Sequence, residues 1–451
     1  LGFAPARVRE GAGALPDRLR PGLIMGAKAK YASIHRHQMM VTKMKQSASL
    51  EMTDYFFLFS LFIMLFWAID PFMVGLDNIG GVKRFPTILL LMNLAFIGVG
   101  RLMFRNRSTY VSVRVSLQEM RYLVGFAALV IGGSLYAREV KGIEETFLTM
   151  GIFTLMAPIT YWYTINSMAP MKLLRAILMV FTFWAVVASG MQLGFFHVIE
   201  IFHNREHLVL PVLGTLLYFL PWRAGRWLAV AVVALVAIAT NKNTGYIITV
   251  FVCGYLVSLT FFRRWRAMKD RLLSTTWLMA FVVAIGSALV AVWVGYTYFD
   301  EHMPTGNPEY RLYTYEIAWQ RFLGSPIWGT LFAESAVVYF SKFEVAASTQ
   351  YLPTHSDPLD IMAHGGVIAL TLWLLGIVPV LWRAFKMASV QGGKLAWSDE
   401  WVHQSFLLMA FTALFVCMFN PIYNVPNLAT ANWMVLGCVL TSTKVCERLL
   451  Q

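Results

Sequence analysis

The chain has 451 residues, of which 58% are hydrophobic and only 14% charged. Soluble domains are nearer half apolar and a quarter charged, so the composition excludes an ordinary soluble protein and favours a polytopic membrane protein. The net charge of +13 does not require a nucleic-acid partner, because membrane proteins collect Lys and Arg in their cytoplasmic loops.

Residues 1–50 are polar and basic and contain no apolar stretch of signal-peptide length, so we expect a cytoplasmic N-terminal tail. Residues 51–451 are expected to form a single transmembrane domain with about twelve spans. Helices are expected throughout, because backbone groups in lipid must pair within their own segment. The expected spans are residues 55–74, 85–104, 122–137, 146–165, 176–196, 208–221, 227–240, 245–262, 276–298, 362–382, 404–419 and 428–443.

The orientation follows from the basic residues. With the N-terminus in the cytoplasm, 28 of the 37 Lys and Arg fall on the cytoplasmic side. The positive-inside rule therefore predicts that both termini are cytoplasmic. It also predicts that the long polar segment 299–361, between the ninth and tenth spans, lies outside. The predicted fold class is an all-α polytopic membrane protein with one large external loop.

The first half of this loop reads as an amphipathic helix, because Tyr315, Trp319 and Phe322 recur at helical spacing. The Gly-Ser-Pro sequence at 324–326 is expected to end it. Arg311 falls in its first turn. Its guanidinium either reaches the lipid headgroups or makes bidentate contacts to a phosphate, and both interpretations stay open here.

The second half of the loop carries a helix start. Asp357 followed by Pro358 is typical of an N-cap and first helical position, and the helix is expected to continue into the span 362–382. Asp357 is better explained as this cap than as a catalytic acid. His355 lies two residues before it, where a helix N-terminus attracts anions and a neutral imidazole can accept a proton. His364 is expected to be a packing residue.

Two further external cations lie between spans. Lys242 occupies the short Thr-Asn-Lys-Asn-Thr-Gly turn, where it is either a headgroup anchor or a phosphate ligand. Arg205 follows His203 and precedes His207. The two histidines have helical i, i+4 spacing, but a third ligand is not apparent, so we expect no metal site.

The order of these pieces resembles the O-antigen ligase/polymerase family of membrane glycosyltransferases over roughly residues 205–385. One family stretch is matched by Arg311, Trp319, Pro326 and Gly329, and a later one by His355, Ser356, Leu359 and Gly365–Gly366. The family's external Ser-Arg-Gly turn is matched by Asn241–Gly245, with Lys242 in place of the usual arginine. Lysine keeps the charge but loses the bidentate fork.

The resemblance implies a GT-C-like enzyme of the bacterial inner membrane with its active site facing the periplasm. It implies transfer of a glycan from undecaprenyl diphosphate to an acceptor sugar hydroxyl, with no cofactor, metal or nucleotide. The implied general base is His355. The implied diphosphate ligands are Arg311 and Lys242, with Arg205 a weaker candidate. Asp357, Tyr315 and Trp319 are implied in support, the aromatic rings stacking on sugars.

Three functions remain open at this point. A polymerase extends the lipid-linked chain, and His355-Ser356 in place of the more usual His-Asn favours an exopolysaccharide polymerase. A ligase transfers the finished chain to lipid A–core. Besides donor, acceptor and membrane lipids, a chain-length regulator or another polysaccharide-assembly protein is a candidate partner. A flippase or transporter would instead be expected to carry internal repeats and mid-membrane polar residues, and only Asp70 resembles such a residue.

Overall fold

The computed structural model describes residues 49–69, 90, 92–93, 117–136, 147–194, 205–220, 225–240, 243–265, 307–333, 337–339, 351–354, 356–390, 395–423 and 426–450. Residues 1–48, the predicted span 276–298 and most of the predicted span 85–104 lie outside these ranges. So do Lys242 and His355. Leu50–Gln451 forms one unit of the chain, and everything below concerns that unit.

The described residues are almost entirely helical. The helices are α1 Met52–Ile69, α2 Arg121–Tyr136, α3 Leu148–Thr154, α4 Met156–Ile165, α5 Pro170–Gly194, α6 Glu206–Tyr218, α7 Gly225–Thr240, α8 Asn243–Trp265, α9 Asn307–Gly324, α10 Asp357–Val390, α11 Trp397–Val416 and α12 Pro426–Leu450. Two short strands, β1 Val337–Tyr339 and β2 Tyr351–Pro353, pair antiparallel with Val338 opposite Leu352.

The predicted spans that fall within the described residues each coincide with helix, so the helical prediction is confirmed for them. Two helices, Pro170–Gly194 and Asp357–Ala388, are long and apolar enough to cross a membrane. Shorter apolar helices of 10–17 residues also occur in the described part, at Met52–Phe66, Arg121–Tyr136, Glu206–Tyr218, Gly225–Thr240 and Thr244–Leu259. The expected total of about twelve spans stays a prediction.

Helices α11 and α12 lie at the centre of the bundle. Helix α12 packs against α3, α4, α10 and α11, while α11 also packs against α6 and α8. The side chains of α12 are buried almost all round from Leu428 to Cys446, as expected for a helix surrounded by others. Peripheral helices instead present exposed apolar rows, such as Met179, Phe183 and Val186 on α5. An apolar outer surface of this kind suits contact with lipid.

Ion pairs hold one end of the bundle. Arg175 near the start of α5 pairs with Asp399 at the start of α11, and Lys444 of α12 pairs with Glu119. The charge distribution predicts that this end faces the cytoplasm. The starts of α6, α8, α10 and α12 and the ends of α7 and α11 meet at the opposite end. The candidate site lies there.

Candidate functional site

The segment between α11 and α12, Cys417–Tyr423, connects the other parts of the site, and we call it the α11–α12 turn. Its last residue is anchored by aromatic packing, because the Tyr423 ring lies 4.6 Å from Trp433 of α12 and 6.0 Å from Trp373 of α10. Burial raises the pKa of the Tyr423 phenol well above its usual range, so the hydroxyl group stays protonated and neutral. The C-terminal end of the turn is therefore fixed by buried aromatic packing.

The first helix attached to this turn is α10. The Asp357 backbone N–H donates to the Cys417 carbonyl at 2.9 Å. In return, the Ile422 and Tyr423 backbone N–H groups donate to Asp357 Oδ2 at 2.8 and 3.0 Å. The helix start at Asp357 is thus where the sequence predicts it. The predicted capping role is wrong, because the carboxylate accepts from the turn instead of from the first turn of its own helix.

Helix α9 brings Arg311 to the same turn. Its Nη1 donates to the Phe419 carbonyl at 3.2 Å, and its side chain is half-buried. This carbonyl lies just past the end of α11, where the helix dipole is negative and favours a cation. Thr314 and Ala318 form the buried face of α9. Arg311 is therefore held by the protein and does not extend freely into solvent.

The connection that contains Lys242 also reaches the turn. Helix α7 ends at Thr240 and α8 begins at Asn243, so residues 241 and 242 alone separate them. Just after this connection, Thr244 Oγ1 accepts from Asn420 Nδ2 at 3.4 Å. The position of the Lys242 side chain is outside the described residues. The start of α8, which follows it directly, nevertheless adjoins the α11–α12 turn.

Arg205 lies at the N-terminus of α6, on the far side of the same connection. A Cβ atom added at Gly245 would lie 2.9 Å from Thr240 Oγ1 and 3.9 Å from Glu206 Cγ, so the start of α6 adjoins the start of α8. Arg205 is half-buried. His207, two residues on, is fully buried, and its Nε2 lies 3.0 Å from Asn432 Oδ1 of α12. That contact gives His207 a packing role between α6 and α12.

The two aromatic residues implied in sugar stacking differ in exposure. The Trp319 side chain is 46% exposed and its ring lies 5.3 Å from Phe322, while Tyr315 is half-buried. Trp319 lies outside the buried Thr314–Ala318 face. Of the two, Trp319 is thus the one with free ring surface for an external ligand.

A second connection fixes α9 against α10, and it depends on a break within α10. Gly366 has φ 63° and ψ −167°, so the helix is interrupted there. The freed Val367 N–H donates to the Pro326 carbonyl at 2.9 Å, and the Phe332 N–H donates to the His364 carbonyl at 2.9 Å. We call this contact between residues 325–333 and 364–368 the clamp.

The side chain of His364 forms the interior of the clamp. Its Nε2 lies 3.2 Å from Arg321 Nη1 and its Nδ1 3.1 Å from Thr330 Oγ1. A guanidinium can only donate, so Nε2 accepts and Nδ1 carries the proton that is donated to Thr330. His364 is 2% exposed and packs 4.5 Å from the Phe147 ring. It therefore acts as a neutral packing residue, as its position beside two glycines predicts.

Sequence reasoning missed the α11–α12 turn, including Asn420, and it missed the role of Arg321 in the clamp. Asn420–Pro421 follows an apolar span and carries no charge, so it reads as an ordinary connection. Its partners are 65 to 176 residues away in the chain. A polar residue at a span end was the only available signal.

Part of the chain matches the model of a known protein family. Residues 228–374 match the family model described as O-antigen ligase. This range includes Lys242, Arg311, His355 and Asp357, whereas Arg205 and the α11–α12 turn fall outside it. No curated protein matches the chain. The match confirms the resemblance to the O-antigen ligase/polymerase family, and with the apolar helices it supports a membrane protein with a ligase- or polymerase-type role in surface polysaccharide biosynthesis.

Proposed function

We propose that the protein is a membrane glycosyltransferase that transfers a glycan from undecaprenyl diphosphate to an acceptor sugar hydroxyl. The observation that carries the proposal is the convergence on one turn. Arg311, the start of α10 and the connection beside Lys242 are each hydrogen-bonded to Cys417–Tyr423. This convergence supports the proposal that Arg311, Lys242 and His355 act together at one end of the bundle. Cations stabilise a diphosphate leaving group, and a base accepts the proton of the attacking sugar hydroxyl.

The reaction is a direct displacement. The acceptor hydroxyl oxygen attacks the anomeric carbon of the donor sugar, and the bond from that carbon to the phosphate oxygen breaks. The hydroxyl proton passes to His355, and the bonding electron pair leaves with undecaprenyl diphosphate. Arg311 and Lys242 stabilise the negative charge that develops on the diphosphate, and Arg205 adds to the positive potential from the start of α6. Trp319 offers a ring face to an acceptor or donor sugar.

The environment of Arg311 suits this role. The Phe419 carbonyl uses one edge of its guanidinium and sets its direction. A guanidinium presents its N–H donors in a fixed plane that matches a pair of phosphate oxygens. Lysine at this position would keep the charge without the paired geometry.

The decisive experiment is a reconstituted assay that contains purified protein, lipid-linked glycan and an acceptor, with no nucleotide sugar. Product formation identifies an enzyme, whereas movement of intact lipid-linked glycan between leaflets without product identifies a flippase. The variants His355→Ala and Arg311→Ala are expected to lose transfer, and Arg311→Lys to recover only part of it. Arg226→Ala is the matched control, because Arg226 is an exposed cation at the start of α7. Transfer at the wild-type rate by His355→Ala would remove the proposed base.

Polymerase and ligase are separated by the glycan profile of a deletion strain. A lost polymerase leaves single repeat units on the acceptor. A lost ligase leaves long chains on the lipid carrier. We propose the polymerase, on the ground that His355 is followed by Ser356 and Asp357 where His-Asn is more usual in the family.

A further inference from the structure

An exposed apolar segment spans the end of α9 and the first part of the clamp. We call residues 323–331 the wedge. Its exposed large apolar side chains are Leu323, Ile327, Trp328 and Leu331. Residues 322–333 include no charged residue, and Arg321 just before them directs its guanidinium at His364 inside the clamp. The wedge therefore presents an uncharged, largely apolar outer surface, as a site of contact with lipid or another apolar partner does.

The position of the wedge along α10 puts it at the edge of the membrane's hydrocarbon core. Near the other end of α10, Lys386 Nζ lies 5.2 Å from the centre of the Trp382 ring, and Arg383 adjoins them. Tryptophans and cations of this kind mark the membrane–water interface. A hydrocarbon core of about 30 Å is crossed by about 20 helical residues, and counting back from Trp382 reaches Met362. The clamp residues 364–368 therefore lie just inside the opposite boundary.

Helix α9 descends toward that boundary. Near its start, Arg311 donates to Phe419 of the α11–α12 turn, which also binds Asp357 at the first residue of α10. Beyond its end, the Pro326 carbonyl accepts from Val367 at 2.9 Å. Val367 is ten residues beyond Asp357, which is about 15 Å along α10. The wedge is therefore deeper than the start of α9.

The backbone of the wedge meets the main requirement for contact with lipid, where polar groups must be paired within the protein. The carbonyls of Pro326 and Ile327 accept from α10 at 2.9 and 3.4 Å. The N–H groups that donate to carbonyls of α9 or of the wedge are those of Ser325, Gly329 and Leu331, at 2.8 to 3.3 Å. These bonds allow an irregular backbone to lie beside acyl chains.

A strained bend holds the wedge at its depth. Leu331 and Phe332 have φ values of 53° and 56°, which are uncommon for residues other than glycine. The bend turns Phe332 inward, where its ring lies 5.2 Å from Phe147 and 6.3 Å from Phe126, while Leu331 stays exposed. Strain of this kind persists only where the surrounding structure imposes it. Here it anchors the wedge to the bundle.

We propose that the wedge inserts into the bilayer leaflet on the side of the candidate site, with Leu323, Ile327 and Trp328 in contact with lipid acyl chains. Lipid is the occupant because the wedge continues the exposed apolar surface of α10, which begins at Val367 and includes Leu374. This inference does not depend on the transfer reaction.

Insertion of the wedge also sets the height of Arg311. Asp357, at the level of Arg311, is five residues before Met362, which is about 7 Å outside the hydrocarbon boundary. The headgroup layer on each side of a bilayer is about 5–8 Å thick. Arg311 is thereby placed at the level of lipid phosphates.

Fluorescent labelling in lipid nanodiscs tests the insertion. Trp328→Cys is labelled with NBD in the full chain, and the wild type gives the background from its own cysteines, of which three are buried. The probe should emit at shorter wavelength than in water. It should be quenched by a lipid that carries a nitroxide on its acyl chain and not by aqueous iodide. Leu374→Cys on α10 is the lipid-facing control, and Glu316→Cys on α9 is the water-facing control, since both positions are exposed.

The two quenchers separate the outcomes. Agreement of Trp328→Cys with Leu374→Cys supports insertion. Iodide quenching equal to that of Glu316→Cys would overturn it, because the wedge would then lie in water. Protection from both quenchers would also overturn it, because a second copy of the chain or another protein would then cover the wedge. Should the Trp328 variant fail to fold, Leu323→Cys decides by the same criteria. The measurement needs no substrate, so its result is independent of the proposed transfer.

Discussion

Replacing Gly366 by alanine tests the clamp that joins helix α9 to α10. Gly366 has φ 63° and ψ −167°, a conformation open almost only to glycine. An added Cβ would also lie 2.2 Å from the Ile327 carbonyl oxygen and 2.6 Å from the Trp328 nitrogen. Those atoms belong to the backbone and cannot move aside as a side-chain end could. The change should therefore open the clamp.

The size of the effect follows from what is lost. The strained conformation costs about 1–3 kcal/mol. Opening the clamp also breaks the bonds from Val367 N–H to Pro326 and from Ile368 N–H to Ile327, which contribute about 0.5–1.5 kcal/mol each. Whether the variant keeps the strained conformation or opens the clamp, it should lose about 1–3 kcal/mol, a sizeable part of a typical folding free energy.

The assay is unfolding in mixed micelles, followed together with transfer activity. Gly254→Ala is the control, because nothing lies within 4 Å of its added Cβ and the site is on an exposed face of α8. That variant should match or exceed wild-type stability by up to about 1 kcal/mol, since glycine is unfavourable within a helix. If Gly366→Ala had the same unfolding stability as Gly254→Ala and wild type, the clamp would not be a strained, stabilising contact.

Four other substitutions have expected effects of different size. Asn420→Ala should raise the donor KM about fivefold without loss of fold, and Thr244→Val should do the same. Each removes the hydrogen bond of about 1 kcal/mol between Asn420 and Thr244, which among the described residues joins the start of α8 to the α11–α12 turn. Fully additive effects in the double variant would contradict this. His364→Leu should lower unfolding stability by about 1–3 kcal/mol through the loss of two buried hydrogen bonds, and wild-type thermal unfolding would argue against it. Arg383→Ala should change stability by less than about 1 kcal/mol and leave transfer unaltered, because its bonds to Glu447 are solvent-exposed; a larger loss in the same unfolding assay would show that the pair contributes more than exposed ion pairs do.

Local signals predicted much of what the structure contains. Apolar runs fixed the positions of the described helices, the Asp-Pro pair fixed the start of α10, and Gly-Ser-Pro marked the end of α9 at Gly324. Each of these depends on a few adjacent residues, which sequence reasoning can evaluate. The same is true of His364, whose place beside two glycines indicated packing.

The site could be predicted only in pieces. Arg311 lies 108 residues from its Phe419 partner, and Asp357 lies 65 from Ile422. Such contacts depend on how the bundle closes, which periodicity does not specify. The break in α10 was equally hidden, because Gly366 lies inside an apolar run that reads as one continuous helix.

The pairing of β1 with β2 has a consequence for how such proteins diversify. The two strands bring Tyr339 and Tyr351 opposite each other, so the chain leaves and re-enters this pair at one point. Beyond the strands, the chain is held by the Ala333 N–H, which donates to the Thr330 carbonyl, and by the buried Thr354. Lengthening a chain segment whose two ends are paired costs little free energy, because loop entropy grows only slowly with length. Residues can therefore be added between the strands while Arg311 and Asp357 keep their partners.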